Sequence, residues 1–179
     1  SRVSRGLGDV YKRQDKDGSI YILGDTSTKD LGLQNPNYFD KNTDILVSKL
    51  NQNGEIQWTK IFEEEYKDRG GSIDIDNEGN IIFSKLGTSL YDGYDYSYAV
   101  YLTKLDQNGE TLLQEKVRSR FPLGLNDLKV DDEGSIFLTG TFSRQYNSQE
   151  SNAYLMNFDS NFDLNWETNF ESPEQDYPE

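Results

Sequence analysis

Residues 72–84 read Ser-Ile-Asp-Ile-Asp-Asn-Glu-Gly-Asn-Ile-Ile-Phe-Ser. Ile73 and Ile75 alternate with polar residues, which is typical of a β-strand with one buried face. Asn77-Glu78-Gly79 then turns the chain, and glycine is favoured there because the residue that closes a short hairpin usually needs a positive φ. The stretch therefore predicts two antiparallel strands joined by a tight turn.

This unit occurs three times in the sequence, at a period of roughly 55 residues. Gly18, Gly79 and Gly134 mark its first turn. Gly54 and Gly109 mark a second turn in the first two copies. A repeat of this kind fixes the architecture before any local assignment does.

The second and third copies each predict four strands. In the second copy the strands are residues 72–76, 80–84, 99–105 and 111–117, with a polar, tyrosine-rich connection over residues 87–97. In the third copy they are residues 126–131, 135–141, 153–158 and 164–170. Short strands joined by glycine turns are typical of a four-stranded antiparallel meander.

Phe162 departs from the repeat, because it occupies the position of Gly54 and Gly109. A bulky residue is disfavoured in the left-handed conformation of that position. We therefore expect Asn161 to adopt the conformation instead, or the turn to be reshaped.

Two positions in the last strand of each copy carry large apolar residues four residues apart. They are Trp58, Leu113 and Trp166 at the first position and Phe62, Val117 and Phe170 at the second. Residues separated by four on a strand share a face. We interpret them as packing between adjacent sheets, in preference to an aromatic platform for a ligand.

The N-terminal residues 4–14 lie outside the repeat and resemble the in-frame translation of a sequencing adapter, ending in Asp-Val-Tyr-Lys-Arg-Gln. We interpret residues 1–14 as a non-native segment, which fold reasoning should leave out. The first copy, residues 15–62, is then expected to lack its first strand. The other copies span residues 70–117 and 125–170, and residues 171–179 are interpreted as the start of a further connection or a truncated end.

Composition excludes several classes of function. The chain has 179 residues and a net charge of −14, which argues against binding a phosphate backbone and so against a nucleic-acid partner. It has no Cys and no His, so disulfides, thiolate nucleophiles, zinc sites built on these residues and Ser-His-Asp triads are excluded within it. No apolar run approaches a membrane span, so membrane insertion is not expected.

A four-stranded meander repeated at this period is what a β-propeller blade requires. The chain resembles bacterial β-propeller repeats of the SBBP type, in which an Asp-x-x-Gly turn and a strand ending in Gly-x-Thr precede a Lys-Leu-x-x-x-Gly hairpin. Residues 15–26 with 49–58, and residues 131–141, carry these elements, while the second copy has Lys85 in place of a glycine. The implied fold class is all-β, with about three four-stranded antiparallel blades in an open arc. Closed propellers usually have four to eight blades, so the expected partners include remaining blades of the same chain, and the arc alone is expected to oligomerise or aggregate.

Gly54-Glu55-Ile56-Gln57-Trp58 is also similar to the tryptophan-docking repeat of quinone-dependent dehydrogenases. The preceding loop is one residue short of that pattern. We interpret the likeness as a structural feature that propeller blades share.

The connections between second and third strands are where binding residues are expected, because a rigid scaffold presents its loops. The most ligand-like is Tyr91-Asp92-Gly93-Tyr94-Asp95-Tyr96, with carboxylates for a cation and tyrosines for stacking on a sugar. The candidate ligand residues are Tyr91, Asp92, Tyr94, Asp95 and Tyr96, and the alternative is a solvated loop.

No cofactor is predicted, although weak calcium binding is left open. Residues 74–79 match the start of an EF-hand loop, but Lys85 occupies the position of its last ligand, which favours a hairpin turn. No carboxylate pair is distinguished by its spacing, so no catalytic residue is assigned.

These features favour a non-catalytic propeller scaffold of a secreted or surface-exposed bacterial protein that binds a protein or glycan. The alternatives are a fragment of a propeller enzyme, carbohydrate-active or quinone-dependent, and a purely structural array.

Overall fold

The computed structural model describes residues 11–26, 44–62, 69–91, 95–117, 123–143 and 152–170. Within these ranges the chain is all-β, and its strands form three four-stranded antiparallel sheets that follow one another along the chain. We call these sheets blades 1, 2 and 3. The predicted fold class, an open series of four-stranded antiparallel blades, is confirmed.

Each blade is a simple meander. Blade 1 contains β1 (Tyr11–Gln14), β2 (Ile20–Thr26), β3 (Asp44–Leu50) and β4 (Ile56–Phe62). Blade 2 contains β5 (Arg69–Ile75), β6 (Ile81–Tyr91), β7 (Asp95–Leu105) and β8 (Thr111–Lys116). Blade 3 contains β9 (Leu123–Val130), β10 (Ile136–Phe142), β11 (Asn152–Phe158) and β12 (Leu164–Phe170). Because the strands alternate in direction, all six short turns lie at one end of the blades, which we call the turn end.

The expectation that blade 1 lacks its first strand is wrong. Residues Tyr11–Gln14 form β1, which pairs antiparallel with β2 from Tyr11 opposite Leu23 to Gln14 opposite Ile20. Ladder hydrogen bonds are made by backbone groups, so a short extended segment of almost any sequence can complete an otherwise open sheet edge. The adapter-like origin of residues 4–14 is a separate matter and stays a prediction.

The six turns share one hydrogen-bond pattern. In each, the side-chain Oδ1 of the first residue accepts from the backbone N–H groups two and four positions later, at 2.8 to 3.0 Å. The first residues are Asp15, Asn51, Asp76, Asp106, Asp131 and Asp159. Five of the turns close on a glycine with φ between 81° and 84°, namely Gly18, Gly54, Gly79, Gly109 and Gly134. The turns therefore depend on an Asx residue as well as on the glycine.

The prediction for the sixth turn is wrong, because Phe162 itself adopts the left-handed conformation, at φ 68°. The turn is not reshaped, since the Phe162 N–H still bonds to the Asp159 carbonyl at 3.1 Å. The Phe162 side chain is only 7% exposed and belongs to the apolar cluster between blades 2 and 3. Burying a phenylalanine gains about 1.5–3 kcal/mol, which offsets a left-handed strain of about 1 kcal/mol.

The core consists of the two blade junctions. Tyr21 and Leu23 of β2 pack with Ile81 and Phe83 of β6 between blades 1 and 2. The next residue along β6, Ile82, packs with blade 3 instead. Because successive side chains of a strand point to opposite faces, blade 2 buries both faces, whereas each outer blade buries the face turned toward blade 2.

The second copy of the repeat has Lys85 where the third has Gly140, and the surroundings of these two positions explain the difference. In blade 3 the equivalent Gly140 has no room for a side chain, because Tyr154 and the Gly124 backbone occupy that space. Lys85 is fully buried in blade 2, where its ammonium lies 5.3 Å from the centre of the Tyr101 ring. The residue opposite Lys85 is Gly70, which has no side chain to compete with it.

Candidate functional site

A row of alternating charges links the first strands of the three blades. Arg13, Asp74 and Lys129 occupy equivalent positions in β1, β5 and β9. The Arg13 Nε donates to Asp74 Oδ1 at 2.9 Å, and Lys129 Nζ lies 3.4 Å from Asp74 Oδ2. The Val130 N–H also donates to Asp74 Oδ2, at 3.0 Å. Asp74 therefore joins all three blades through one carboxylate.

A cavity of about 400 Å³ opens at the turn end beside this row. Its lining is contributed by the first turns of the three blades and by Gln107. Six of the lining side chains are acidic: Asp15, Asp17, Asp74, Asp76, Glu78 and Asp132. The cavity is therefore strongly acidic, and a cationic or hydroxyl-rich molecule would fit its chemistry better than an anion.

Asp76 is the most strongly held of these carboxylates. Its Oδ2 lies 2.9 Å from Lys104 Nζ and accepts from the Asn80 side-chain amide at 3.0 Å. Burial acts to raise the pKa of Asp76, but the hydrogen bonds from Asn80 and Lys104 outweigh it and lower the pKa below its ordinary value. Asp76 is therefore ionised at neutral pH and unsuited to act as a general acid.

The stretch that matches the start of an EF-hand loop is a hairpin turn, as expected. Residues 74–79 end β5 and lead into β6, and Asp74 and Asp76 are engaged by Arg13, Lys129 and Lys104. Among the residues that the structure describes, no group of three or more acidic side chains is placed to hold a metal ion. The weak calcium binding left open by the sequence stays a prediction.

Three of the predicted ligand residues, Tyr91, Asp95 and Tyr96, lie on paired strands rather than in a loop. β6 and β7 each have eleven residues, whereas their counterparts in blades 1 and 3 have seven. We call the extra part, residues 88–91 paired with residues 95–98, the β6–β7 arm. Its register places Tyr91 opposite Asp95 and Leu90 opposite Tyr96. Asp92 and Tyr94 lie in residues 92–94, outside the described residues.

The arm and the cavity are at opposite ends of blade 2. Four residues beyond the length of the neighbouring strands project about 13 Å. The arm leaves the end that carries the longer connections, and the cavity lies at the turn end. The two are therefore separate candidate sites.

Sequence reasoning found the arm but missed both the cavity and the charged row. A signal for the row was present, because Arg13, Asp74 and Lys129 fall at the same repeat position and alternate in sign. Assigning residues 1–14 to foreign sequence removed Arg13 from the comparison. The cavity depends on how three turns converge, which no single turn reveals.

The two tryptophans occupy equivalent positions with different surroundings. Trp58 lies against Gly109 of the next blade, and its Nε1–H donates to the Gln107 carbonyl at 3.1 Å. Trp166 lies on the last strand of blade 3 and is 44% exposed. Trp58 therefore packs between sheets, whereas Trp166 presents its ring to solvent.

No family model and no curated protein matches the chain. Among solved structures, the chain is similar to a protein of unknown function from Dyadobacter fermentans, with 13% identity and a TM-score of 0.59 over 91% of this chain and 50% of that one. A protein of unknown function from Bacteroides caccae matches with 13% identity and a TM-score of 0.44, over 93% and 69% of the two chains. A member of the DUF4221 family from Bacteroides vulgatus matches with 11% identity and a TM-score of 0.31, over 95% and 82%.

The likeness to the Dyadobacter protein shows the fold alone. This chain spans half of that protein's length. None of the described residues forms a helix long and apolar enough to cross a membrane.

Proposed function

We propose that the chain is a non-catalytic binding module built from SBBP-type propeller blades, and that it binds a protein or glycan partner through the β6–β7 arm. The Asp-x-x-Gly turns and the Lys-Leu-x-x-x-Gly hairpins of the first two copies support the repeat class. We further propose that the module acts at the surface of a bacterial cell or outside it.

The observation that carries the proposal is the length of the arm. Blade 2 extends its two middle strands by four residues each, with a regular ladder from Thr88 opposite Tyr98 to Tyr91 opposite Asp95. A paired hairpin presents its residues on a rigid base, which lowers the entropic cost of binding relative to a free loop. Tyrosines are well suited to contact either a sugar ring or a protein surface.

The chemistry of the turn end does not favour a catalytic alternative. Asp74 is shared by two cations and a backbone N–H, and Asp76 is held by Lys104 and Asn80. Hydrolysis by a carboxylate pair needs one carboxyl group with a raised pKa to act as the acid, whereas the pKa of Asp76 is lowered.

The test is binding by the intact chain with its arm altered. The variant Tyr91→Ser/Tyr94→Ser/Tyr96→Ser removes the aromatic rings, and Ile56→Ser is the matched control because Ile56 is a highly exposed large apolar residue, at 67%, and belongs to blade 1. Both are compared with the parent chain on a glycan array and against fractionated bacterial surface proteins. We expect the parent and Ile56→Ser to bind the same partner and the arm variant to lose it. Binding that is equal in all three proteins would overturn the proposal, as would turnover of a glycan substrate by the parent chain.

A further inference from the structure

The junction between blades 1 and 2 has a defined docking contact. The indole of Trp58 covers Gly109 so closely that a Cβ at Gly109 would lie 3.3 Å from three ring atoms. Gln107 accepts from the indole N–H, and the Lys60 ammonium donates to the Gly109 carbonyl at 2.6 Å. The last strand of one blade is thus seated on the outer turn of the next.

Trp166 is positioned for the same contact, but no described blade lies against it. It lies opposite Asn157 as Trp58 lies opposite Lys49. Its ring meets Phe137 at 6.2 Å and 64°, and the ring of Trp58 meets the equivalent Tyr21 at 6.2 Å and 56°. The indole of Trp166 is therefore held in the docking orientation while remaining 44% exposed.

Blade 1 carries the complementary half of the contact. Gly54 is the counterpart of Gly109, with φ 81° against 84°. Around the position of a Cβ at Gly54, no atom of the described part of the chain lies within 4 Å. Among the described residues, Gly54 is thus exposed where Gly109 is covered by Trp58.

The surfaces around Trp166 and Gly54 also match, because both carry apolar side chains. We call the side of blade 3 turned away from blade 2 its free face, and the side of blade 1 turned away from blade 2 the free face of blade 1. The free face of blade 3 carries Phe137, Leu155, Trp166 and Phe170. The free face of blade 1 carries Ile20, Ile22, Leu46 and Leu50, all half-buried.

A second pair of positions also matches. Phe170 corresponds to Phe62, which meets Phe83 of the next blade edge-on at 5.2 Å. The counterpart of Phe83 in blade 1 is Ile22.

We propose that two copies of this chain associate head to tail, with Trp166 of each copy seated on Gly54 of the other. The contact repeats the junction between blades 1 and 2, so it continues an interface already present in the molecule. Two such contacts close a ring of six blades with twofold symmetry, within the usual range of four to eight.

Charge opposes this association moderately. Lys129 of one copy and Arg13 of the other would be neighbours in the ring, and each chain carries a net charge of −14. Lys129 and Arg13 are 54% and 31% exposed, so salt screens their repulsion. The association should therefore strengthen as ionic strength rises, which is opposite to the behaviour of a contact held by ion pairs.

The first test measures mass by size exclusion with light scattering over a concentration series. The parent chain is expected at twice its mass of 20.6 kDa, and Trp166→Ala at the single mass, with the dissociation constant raised roughly thirtyfold or more. Leu112→Ala is the matched control, because Leu112 is 55% exposed on blade 2 and outside both free faces. It should leave the dimer intact.

The second test distinguishes loss of the docking contact at Gly54 from loss of the fold. Gly54→Ala adds a methyl group at that contact, and Gly134→Ala introduces the same left-handed strain in the inner turn of blade 3, where the nearest atom to a Cβ is Ser160 at 3.9 Å. Only Gly54→Ala should weaken the dimer. Thr168→Lys restores the counterpart of Lys60 and should tighten the dimer roughly twofold to tenfold by one added hydrogen bond.

Three outcomes overturn the proposal. A parent chain that remains monomeric shows that a second copy does not cover the free faces. An assembly that Trp166→Ala does not affect places the contact elsewhere. Open chains longer than a dimer exclude the six-bladed ring.

Discussion

The two blade junctions of this protein take an aromatic ring from different members of the same pair of positions. Between blades 1 and 2 the large residue is Trp58 on the last strand, and the turn position holds Gly109. Between blades 2 and 3 the last strand holds Leu113, and the large residue is Phe162 in the turn. Leu113 packs against the cluster that contains Phe162. The first junction therefore takes its aromatic ring from the last strand, and the second takes its ring from the turn.

This exchange shows that the repeat keeps an aromatic ring in each junction rather than the same residue at each position. Cores tolerate hydrophobic substitution when the neighbouring side chains repack around it. A glycine is required at the turn only where a large residue arrives from the preceding blade. Where no indole arrives, the turn position can supply the ring itself, at a modest conformational cost.

Phe162→Gly should have the largest effect, because it empties the second junction. Loss of the buried ring is expected to lower the free energy of unfolding by about 2–4 kcal/mol, after allowance for the relief of left-handed strain. Urea unfolding followed by tryptophan fluorescence measures the change. The double variant Leu113→Trp/Phe162→Gly rebuilds the first junction within the second and should recover at least half of the loss. If the double variant is no more stable than Phe162→Gly, the aromatic ring cannot be moved from the turn to the strand.

Trp58→Ala tests the first junction from the strand side. The variant loses the contact with Gly109 and the hydrogen bond to the Gln107 carbonyl, and the free energy of unfolding should fall by about 2–3 kcal/mol. Trp166→Ala is the control, measured at concentrations where the chain is monomeric, and should lower stability by about 1 kcal/mol, because among the described residues it loses only the contact with Phe137. Equal losses in the two variants would mean that Trp58 gains nothing from the neighbouring blade.

The sequence predicts the blades well because their signals are local. Alternating apolar residues and turn glycines at Gly79 or Gly134 reflect one strand or one turn, and the strands lie where that pattern places them. Phe162 was mispredicted because its conformation is decided by burial against blade 2, not by its own turn. The connection predicted over residues 87–97 differs from the structure at residues 87–91 and 95–97, which are paired strands, because polar and aromatic residues fit a strand as well as a loop.

The candidate sites also differ in whether their signals are local in the sequence. The arm was recognisable from its tyrosines, although its extension as paired strands was not. The cavity and the shared carboxylate of Asp74 arise where three blades meet. Such convergence depends on the angle between blades, which residue patterns within one blade do not encode.

Gly109→Ala sharpens the comparison from the turn side. The added methyl group suffers left-handed strain at φ 84° and meets the Trp58 ring at 3.3 Å, so stability should fall by about 1–2 kcal/mol. Gly54→Ala carries the same strain without the contact and should cost about 1 kcal/mol in the monomer. The difference between the two variants in thermal unfolding isolates the indole contact, and no difference would place the indole away from Gly109 in solution.

Asp76→Asn distinguishes the junctions by pH. Lys49 at the first junction reaches across to the Gln107 carbonyl at 3.4 Å, whereas the equivalent Lys104 turns to Asp76 within blade 2. The substitution keeps the turn, since Asn51 makes the same turn in blade 1. It removes the partner of Lys104 from a pair whose side chains are 14% and 7% exposed, so it should cost about 1–2 kcal/mol at neutral pH.

The pKa of Asp76 is lowered from its ordinary value of 3.8 in the folded protein. Its ionised form therefore contributes stability fully above that pH, and the contribution is lost as the pH falls below 3.8 through the folded value. The stability gap between the parent chain and Asp76→Asn should accordingly close under acidic conditions, as urea unfolding at a series of pH values would show. A gap that stays constant would mean that Lys104 does not hold Asp76 ionised, and that both junctions respond to acid alike.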